Sequence, residues 1–345
     1  MTSAPGGFDP AEGPAAFAGA ARPLSETFDV ALLDLDGVLY LGTDPVEHAV
    51  SALEVASKAG MRREYVTNNA RRTPESVAAN LTRLGIEARP EQVATSAQAV
   101  ATLISGRFPA GSKVLVAGGD GLDAAMRDVG FEPVRSADDE PVAVVLGYDP
   151  TIDYPRLSEA ALAVSRGAAF FAANRDATVP TSRGRMPGMG AIVAFVVTAT
   201  GVEPIVAGKP ERALHAESVR RSGARHPLVV GDRLDTDIEG ARRAGTPSLL
   251  VLTGVTGVSE LIAAAPARRP DFVARDLRGL NDRHPAAHDG RCRAARAEYD
   301  ETSQLVRVVA GAERDSDDAL RAAVTAAWAA ADAGRPVRGA EGLPD

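Results

Sequence analysis

Val30-Ala31-Leu32-Leu33-Asp34-Leu35-Asp36-Gly37 is the stretch on which the reading of this chain turns. Four apolar residues run without a break and stop at two carboxylates and a glycine. A short apolar run bounded by a turn signal reads as a strand buried on both faces, the kind found in parallel sheets. In an open α/β sheet the crevice for ligands lies outside the carboxyl ends of the strands. Asp34 and Asp36 stand at such an end. Carboxylates this close repel one another unless a cation or a shared proton relieves them, and a hard divalent cation with a preference for oxygen ligands, Mg2+, is the natural relief.

Outward from this strand the pattern repeats. Pro45–Lys58 reads as a helix with Val46, Val50, Leu53 and Ala56 near one face and Gly60 beyond its end. Met61–Val66 is a second strand and ends in Thr67-Asn68-Asn69. Thr73 then caps a helix with Pro74 in its first turn, closing at Leu84-Gly85. Pro204–Val206 is a strand leading to Gly208-Lys209-Pro210, followed by a helix over Glu211–Arg221. Leu228–Val230 is a strand ending in Gly231-Asp232, then come a helix over Asp237–Arg243 and a strand over Ser248–Leu252. Strands alternating with helices predict a parallel sheet covered on both faces.

From Asn69 to Lys209 the chain runs 140 residues, whereas a single crossover needs only a few dozen. The excess predicts an inserted α/β domain over 100–187, with strands at Lys113–Ala117, Val142–Leu146 and Ala169–Ala172 and helices at Leu122–Val129 and Pro155–Ser165. The core then comprises 28–99 and 188–280. Residues 1–27, rich in Ala, Gly and Pro, read as a flexible tail. Residues 281–345 form an extension of unknown role, polar over 281–300, with a strand at Ser303–Val309, a helix at Asp317–Ala331 and a disordered end from Gly334.

The chain has 345 residues, 45% hydrophobic and 24% charged, the composition of a soluble globular protein. Aromatics make up only 4%, so Ala, Val and Leu must fill the core. A net charge of −8 argues against non-specific nucleic-acid binding. The single cysteine, Cys292, has no internal disulfide partner, which suits a reducing cytosol. No signal-peptide pattern opens the chain, and the longest apolar run, Ala191–Val197, is far short of the ~20 residues of a membrane span. The expectation is a cytoplasmic protein without nucleic-acid or membrane partners.

Four chemically coherent sites thus sit at four strand ends: Asp34/Asp36, Thr67-Asn68-Asn69, Lys209, and Asp232 with Asp237. Each has a role in phosphoryl transfer, whose transition state spreads negative charge over equatorial oxygens. Asp34 is the expected nucleophile, forming an aspartyl-phosphate. Asp36 is the expected general acid and base. Thr67, Asn68, Asn69 and Lys209 are the expected phosphate-binding set, with the Lys209 charge set against nucleophile and phosphate. Asp34, the Asp36 carbonyl and Asp232 are the expected Mg2+ ligands, with Asp237 behind them orienting metal-bound water or capping the next helix. A phosphatase acting on a small phosphorylated metabolite follows.

This set resembles the haloacid dehalogenase superfamily. The matching pieces are Asp34-Leu35-Asp36-Gly37-Val38-Leu39-Tyr40, Val66-Thr67-Asn68-Asn69, Gly208-Lys209-Pro210 and Gly231-Asp232-Arg233-Leu234-Asp235-Thr236-Asp237. With the long insertion, they are similar to the branch of nitrophenylphosphatases, phosphoglycolate phosphatases and nucleotide phosphatases. That branch places an α/β type-2 cap between its second and third motifs. Phe171-Ala172-Ala173-Asn174-Arg175-Asp176 and Pro187-Gly188-Met189-Gly190 also match it. Within the branch the chain looks most like actinobacterial glycerol-3-phosphate phosphatases, which also carry an extension after the core. The resemblance implies a Rossmann-like core, glycerol 3-phosphate as substrate, and homodimers formed through the cap. Phosphoglycolate, pyridoxal phosphate and nucleotides are the alternative substrates. Asn174 and Asp176 are candidates for substrate contact, with loop stabilisation as the other reading.

Asp235 reads as solvent-exposed. Gly118, Gly119 and Gly121 lack dinucleotide-fingerprint spacing and read as a turn of the inserted domain. Arg291-Cys292-Arg293 has a basic flank outside the core and reads as holding an idle thiol. A dehalogenase would lack the second carboxylate, and a phosphomutase fits this cap type poorly. A binding or regulatory role through the extension is the alternative of another class.

Overall fold

A computed structural model describes residues 13–181, 184–311, 316–341 and 343. The chain divides into two compact units, one of residues up to Arg63 and from Ala224 onward, the other of Glu64–Gly223.

The first unit holds four parallel strands in the order Phe272–Ala274, Ser248–Val251, Pro227–Gly231, Val30–Leu33. Val30–Leu33 is buried at every position, as its unbroken apolar run demands. The helix expected over Pro45–Lys58 begins only at Ala49. Asp44–Pro45 instead pairs with Tyr40–Leu41 in a small antiparallel ribbon just beyond the Asp34–Gly37 turn.

Two expectations for this unit need correction. Residues 1–27 read as a flexible tail in the sequence, yet Phe17 and Leu24 are fully buried. Phe17 exchanges backbone hydrogen bonds with Ala287, and Ala20 with His284, so the apolar side chains pin this stretch down. Residues 1–12 lie outside the described residues. The extension is also more ordered than its polar sequence suggested. Ala287–His288, Arg291–Cys292, Ala295–Asp300, Leu305–Ala310 and Gly339–Glu341 form a five-stranded sheet, antiparallel except for its last pair. The end read as disordered from Gly334 therefore supplies a strand.

The helix Asp317–Asp332 packs on this sheet and into one continuous core with Phe17, Leu250, Leu261, Val273 and Val306. Trp328 is fully buried there and donates its Nε1 hydrogen to the Leu261 carbonyl at 3.0 Å. Arg269, equally buried, makes a two-pronged pair with Asp332 at 2.7 and 2.6 Å.

The second unit contains the parallel strands Arg62–Thr67 (whose first two residues belong to the first unit) and Val93–Thr95, flanked by the helices Pro74–Arg83, Ser96–Ser105 and Arg212–Ser222. It also contains the inserted domain, a five-stranded parallel sheet in the order Ile205–Val206, Ala169–Ala172, Ala143–Leu146, Lys113–Ala117, Glu132–Val134. The core was expected to resume at residue 188. Instead the helix Met189–Thr200 buries Met189, Val193 and Val196 in the core of the inserted sheet, and Ile205–Val206 is that sheet's edge strand. The apolar run Ala191–Val197 is the inner part of this helix.

The shared core makes the extension a structural part of the first unit. Truncating Trp328 to alanine should cost about 3–5 kcal/mol, read as a lower urea midpoint. Trp328→Phe, which keeps most of the buried area, should cost less. Equal midpoints for wild type and the alanine variant would refute the shared core.

Candidate active site

The acidic candidates lie in the first unit. Asp34 directly follows the strand Val30–Leu33, and its N–H still donates to the Val230 carbonyl at 2.9 Å, so the ladder fixes where the side chain begins. Asp232 follows Pro227–Gly231 in the same way. After it the backbone makes one widened turn over Leu234–Ile238, with Ile238 N–H donating five residues back to the Arg233 carbonyl, before the helix Glu239–Ala244 begins. Such widened turns are uncommon and recur at functional sites. This one brings the Asp237 carboxylate back to accept from Arg233 N–H at 3.1 Å.

Asp34, Asp232 and Asp237 each present one carboxylate oxygen within 4.8 Å of the others. Asp232 and Asp237 are fully buried and Asp34 half-buried. Asp232 also accepts from Val255 N–H at 2.7 Å. The backbone around Asp232 has no room for side chains. A Cβ at Gly37, which has φ +87°, or at Gly254 would collide with the Asp232 carboxylate. Buried carboxylates crowded on one point are unfavourable by themselves. Three oxygen donors of this kind are what a hard divalent cation such as Mg2+ takes, so the residues fit the implied metal.

Asp237, expected behind the ligands, therefore stands with Asp34 and Asp232, and it caps Arg233 rather than the following helix. The Asp36 carboxylate is outside this group. It is exposed, and the Tyr40 hydroxyl donates to it at 3.4 Å. Asp235 is paired with Arg233 at 3.0 and 2.8 Å. Burial pushes its carboxyl up, but the Arg233 guanidinium outweighs this and holds it below the usual range.

The second unit holds the remaining candidates. Thr67 ends its strand, buried, and its hydroxyl oxygen accepts from Asn69 N–H at 3.1 Å. The Asn69 side chain accepts from Arg71 N–H at 2.9 Å. Asn69 thus spends its N–H and its side-chain oxygen on the turn. The Asn68 side chain accepts from Lys209 N–H at 2.7 Å and donates to the Lys209 carbonyl at 3.1 Å, locking the lysine backbone from both sides. It also donates to Asp176 at 3.1 Å. Asn174 donates to the Asn68 carbonyl at 2.7 Å and accepts from Asp176 N–H at 3.0 Å. Asn174 and Asp176 are thus engaged in holding the loops together.

Lys209 itself is buried. His215, buried on the following helix, is kept neutral, pushed down to about 3 by burial and by the Lys209 charge. Neither the Asn68 lock nor His215 has a signal in the local sequence.

Residues 31–132 match the family model of haloacid dehalogenase-like hydrolases, and residues 206–280 match the HAD-hydrolase-like model. A D-glycerol 3-phosphate phosphatase of Mycobacterium tuberculosis is 47% identical over 260 residues, 75% of this chain and 73% of that protein. The chain belongs to the haloacid dehalogenase-like hydrolases. An acid sugar phosphatase of Staphylococcus aureus, another relative of this hydrolase, is 38% identical over 67% of this chain and 88% of that protein. A crystal structure of a glycerol phosphate phosphatase from M. tuberculosis in complex with magnesium superposes with a TM-score of 0.83 at 41% identity, covering 94% of this chain and 96% of that one. A thermostable NPPase of Geobacillus stearothermophilus gives 0.66 at 33% identity, covering 73% and 97%.

If the three carboxylates hold a cation, Asp232→Asn should weaken Mg2+ binding at least about tenfold by calorimetric titration. Asp235→Asn, in the same motif but tied to Arg233, should leave it unchanged. Equal losses in both variants would show that the grouping is incidental.

Proposed function

We propose that this hydrolase is a magnesium-dependent phosphatase that converts glycerol 3-phosphate to glycerol and phosphate through an aspartyl-phosphate. The observation that carries the reading is the convergence of Asp34, Asp232 and Asp237 within 4.8 Å in a hydrolase of this family. The substrate rests on the M. tuberculosis relative, whose name is D-glycerol 3-phosphate phosphatase.

Asp34, Asp232 and Asp237, with the Asp36 carbonyl, are the proposed ligands. These residues would hold Mg2+, which would supply positive charge to offset the repulsion between carboxylate and phosphate. An Asp34 carboxylate oxygen attacks phosphorus, and the bond to the glycerol oxygen breaks. Asp36 gives its proton to that leaving oxygen. Being exposed and outside the three-carboxylate group, Asp36 can exchange protons with solvent. Asp36 then takes a proton from water as the water attacks phosphorus, freeing phosphate and restoring Asp34. Thr67, already accepting from Asn69, keeps its own hydroxyl hydrogen to donate to a phosphate oxygen. Lys209, held at its backbone by Asn68, supplies positive charge to the phosphate as negative charge shifts among its oxygens.

No helix of the described residues is long and apolar enough to cross a membrane, and the proposed location is the cytoplasm. Pairing of two copies through the inserted domain is also proposed. It is supported by Tyr154, Leu162 and Val202, large apolar side chains exposed in that unit. In sedimentation, wild type should run as a dimer and Leu162→Asp as a monomer. A monomeric wild type would remove the pairing.

Purified protein should release phosphate from glycerol 3-phosphate with Mg2+ and stop with EDTA. It should act on this substrate faster than on phosphoglycolate, pyridoxal phosphate, UMP, sugar phosphates or nitrophenyl phosphate. Asp34→Asn should reduce release to background while circular dichroism stays unchanged. Undiminished turnover in that variant would exclude Asp34 as nucleophile, and a preference for another phosphate would move the substrate but leave the chemistry.

A further inference from the structure

The extension's sheet carries an arrangement that the phosphatase chemistry does not use. Its inner residues, Cys292, Ala295, Ala297 and Val306, belong to the core shared with the helix Asp317–Asp332. Its outer face is exposed, and the strand register sets charged residues there side by side. One row reads Glu298, Arg307, Glu341 across three strands. Charges alternate along it, and Arg307 is bonded to Glu341 at 2.6 Å and to Asp300 at 2.9 Å. Another row reads His288, Arg291, Arg296 across three strands. Here Arg291 and Arg296 stand directly opposite each other on a tight hairpin, both exposed. Among the described residues, neither has an acidic partner. Arg293, in the turn between them, is held by Asp318 at 3.4 Å, and His288 lies 3.8 Å from Asp289.

Like charges directly opposite on neighbouring strands are destabilising, and opposite charges stabilise by a similar amount. The same sheet face satisfies this rule in one row and breaks it in the next. The broken row presents two guanidinium groups from Cα positions paired across one ladder step. Guanidinium forks match phosphate oxygens in two-pronged geometry. Two such forks with an imidazole beside them suit one compact dianion. The patch is too short for a polymer, and a chain of net charge −8 repels nucleic acids and acidic membranes at long range.

We propose that Arg291 and Arg296, flanked by His288, form a binding site for a single phosphate group, carried by inorganic phosphate or by a small phosphomonoester. The site is separate from the carboxylate cluster and does not depend on the reading of that cluster. Arg291 of the Arg291-Cys292-Arg293 stretch is therefore part of an anion site, Arg293 is held by Asp318, and Cys292 between them faces inward. Burial and the nearby Asp318 carboxylate push its thiol up to about 12, so it takes no part.

The test is thermal denaturation of the full chain in EDTA, which removes metal and stops turnover. Inorganic phosphate and glycerol 3-phosphate are added in separate arms, with sodium chloride at matched ionic strength as reference. Wild type should gain about 1–2 °C at a ligand concentration near ten times the dissociation constant. The double variant Arg291→Ser/Arg296→Ser should lose that gain. Without added anion it should melt above wild type, because the opposed charges are gone. Arg307→Ser, in the alternating row, should keep the phosphate response. A gain in only one arm identifies the source of the phosphate group. The proposal is overturned if chloride reproduces the gain, or if the double variant responds to phosphate as wild type does.

Discussion

Mutual repulsion among three carboxylates is the constraint on which the first unit is built. Asp34, Asp232 and Asp237 present oxygens within 4.8 Å of one another, two of these residues being fully buried. Such a group survives folding only if the surrounding backbone leaves it no way out and supplies partial positive charge. Val255 and Arg233 supply it with their N–H groups. Gly37 and Gly254 let two turns close directly on the Asp232 carboxylate, where any side chain would collide. Strand ends set where the carboxylates start, and the turns set where they point. A cation completes the arrangement by charge as well as by chemistry.

Those parts of the molecule that depend on local pattern were legible in the sequence. Val30–Leu33, Lys113–Ala117 and Ala169–Ala172 are strands over the residues expected, because a bounded apolar run leaves the backbone few alternatives. Asp34 and Asp232 could be placed because each follows such a run. The nearness of Asp237 to Asp34 and Asp232 depends on a turn widened by one residue, and nothing in Leu234–Asp237 distinguishes that from an ordinary helix start. The Asn68 lock on Lys209 joins residues 141 apart. Thr67-Asn68-Asn69 reads equally as a plain turn, so the pairing has no local signature.

The inserted domain shows a different limit. The sequence puts its end at residue 187, and Pro204–Val206, leading into the lysine motif, reads as a core strand. The structure pairs Ile205–Val206 with Phe171–Ala172 in the inserted sheet. Strand partners are chosen by long-range packing, here the burial of Met189, Val193 and Val196 against that sheet's core. Apolar content shows that a segment will be buried. It does not show against which sheet.

In the extension the helix Asp317–Asp332 and the strand Leu305–Ala310 are legible, whereas residues 281–300 read only as polar, for a related reason that bears on what the extension is. Its strands are short and alternate inward Ala and Cys with outward Arg and Glu, so the sequence looks merely polar. Its burial is supplied from elsewhere, by Phe17 before the core and by Leu250, Leu261 and Val273 within it. The buried arginines strengthen the point. Arg269 reaches Asp332, and Arg321 donates to the Val273 carbonyl at 3.0 Å, so charges that would be costly alone are paired across the join and fix its register. The M. tuberculosis structure aligned over 94% of this chain must include a counterpart of most of this region. The Geobacillus structure is 97% aligned yet covers 73% of this chain. A relative without the extension must cover the outer side of Leu250, Leu261 and Val273 by other means, with polar substitutions or a different helix. The extension is therefore better understood as one wall of the first unit's core, whose outer face is available for further binding, than as an appended module.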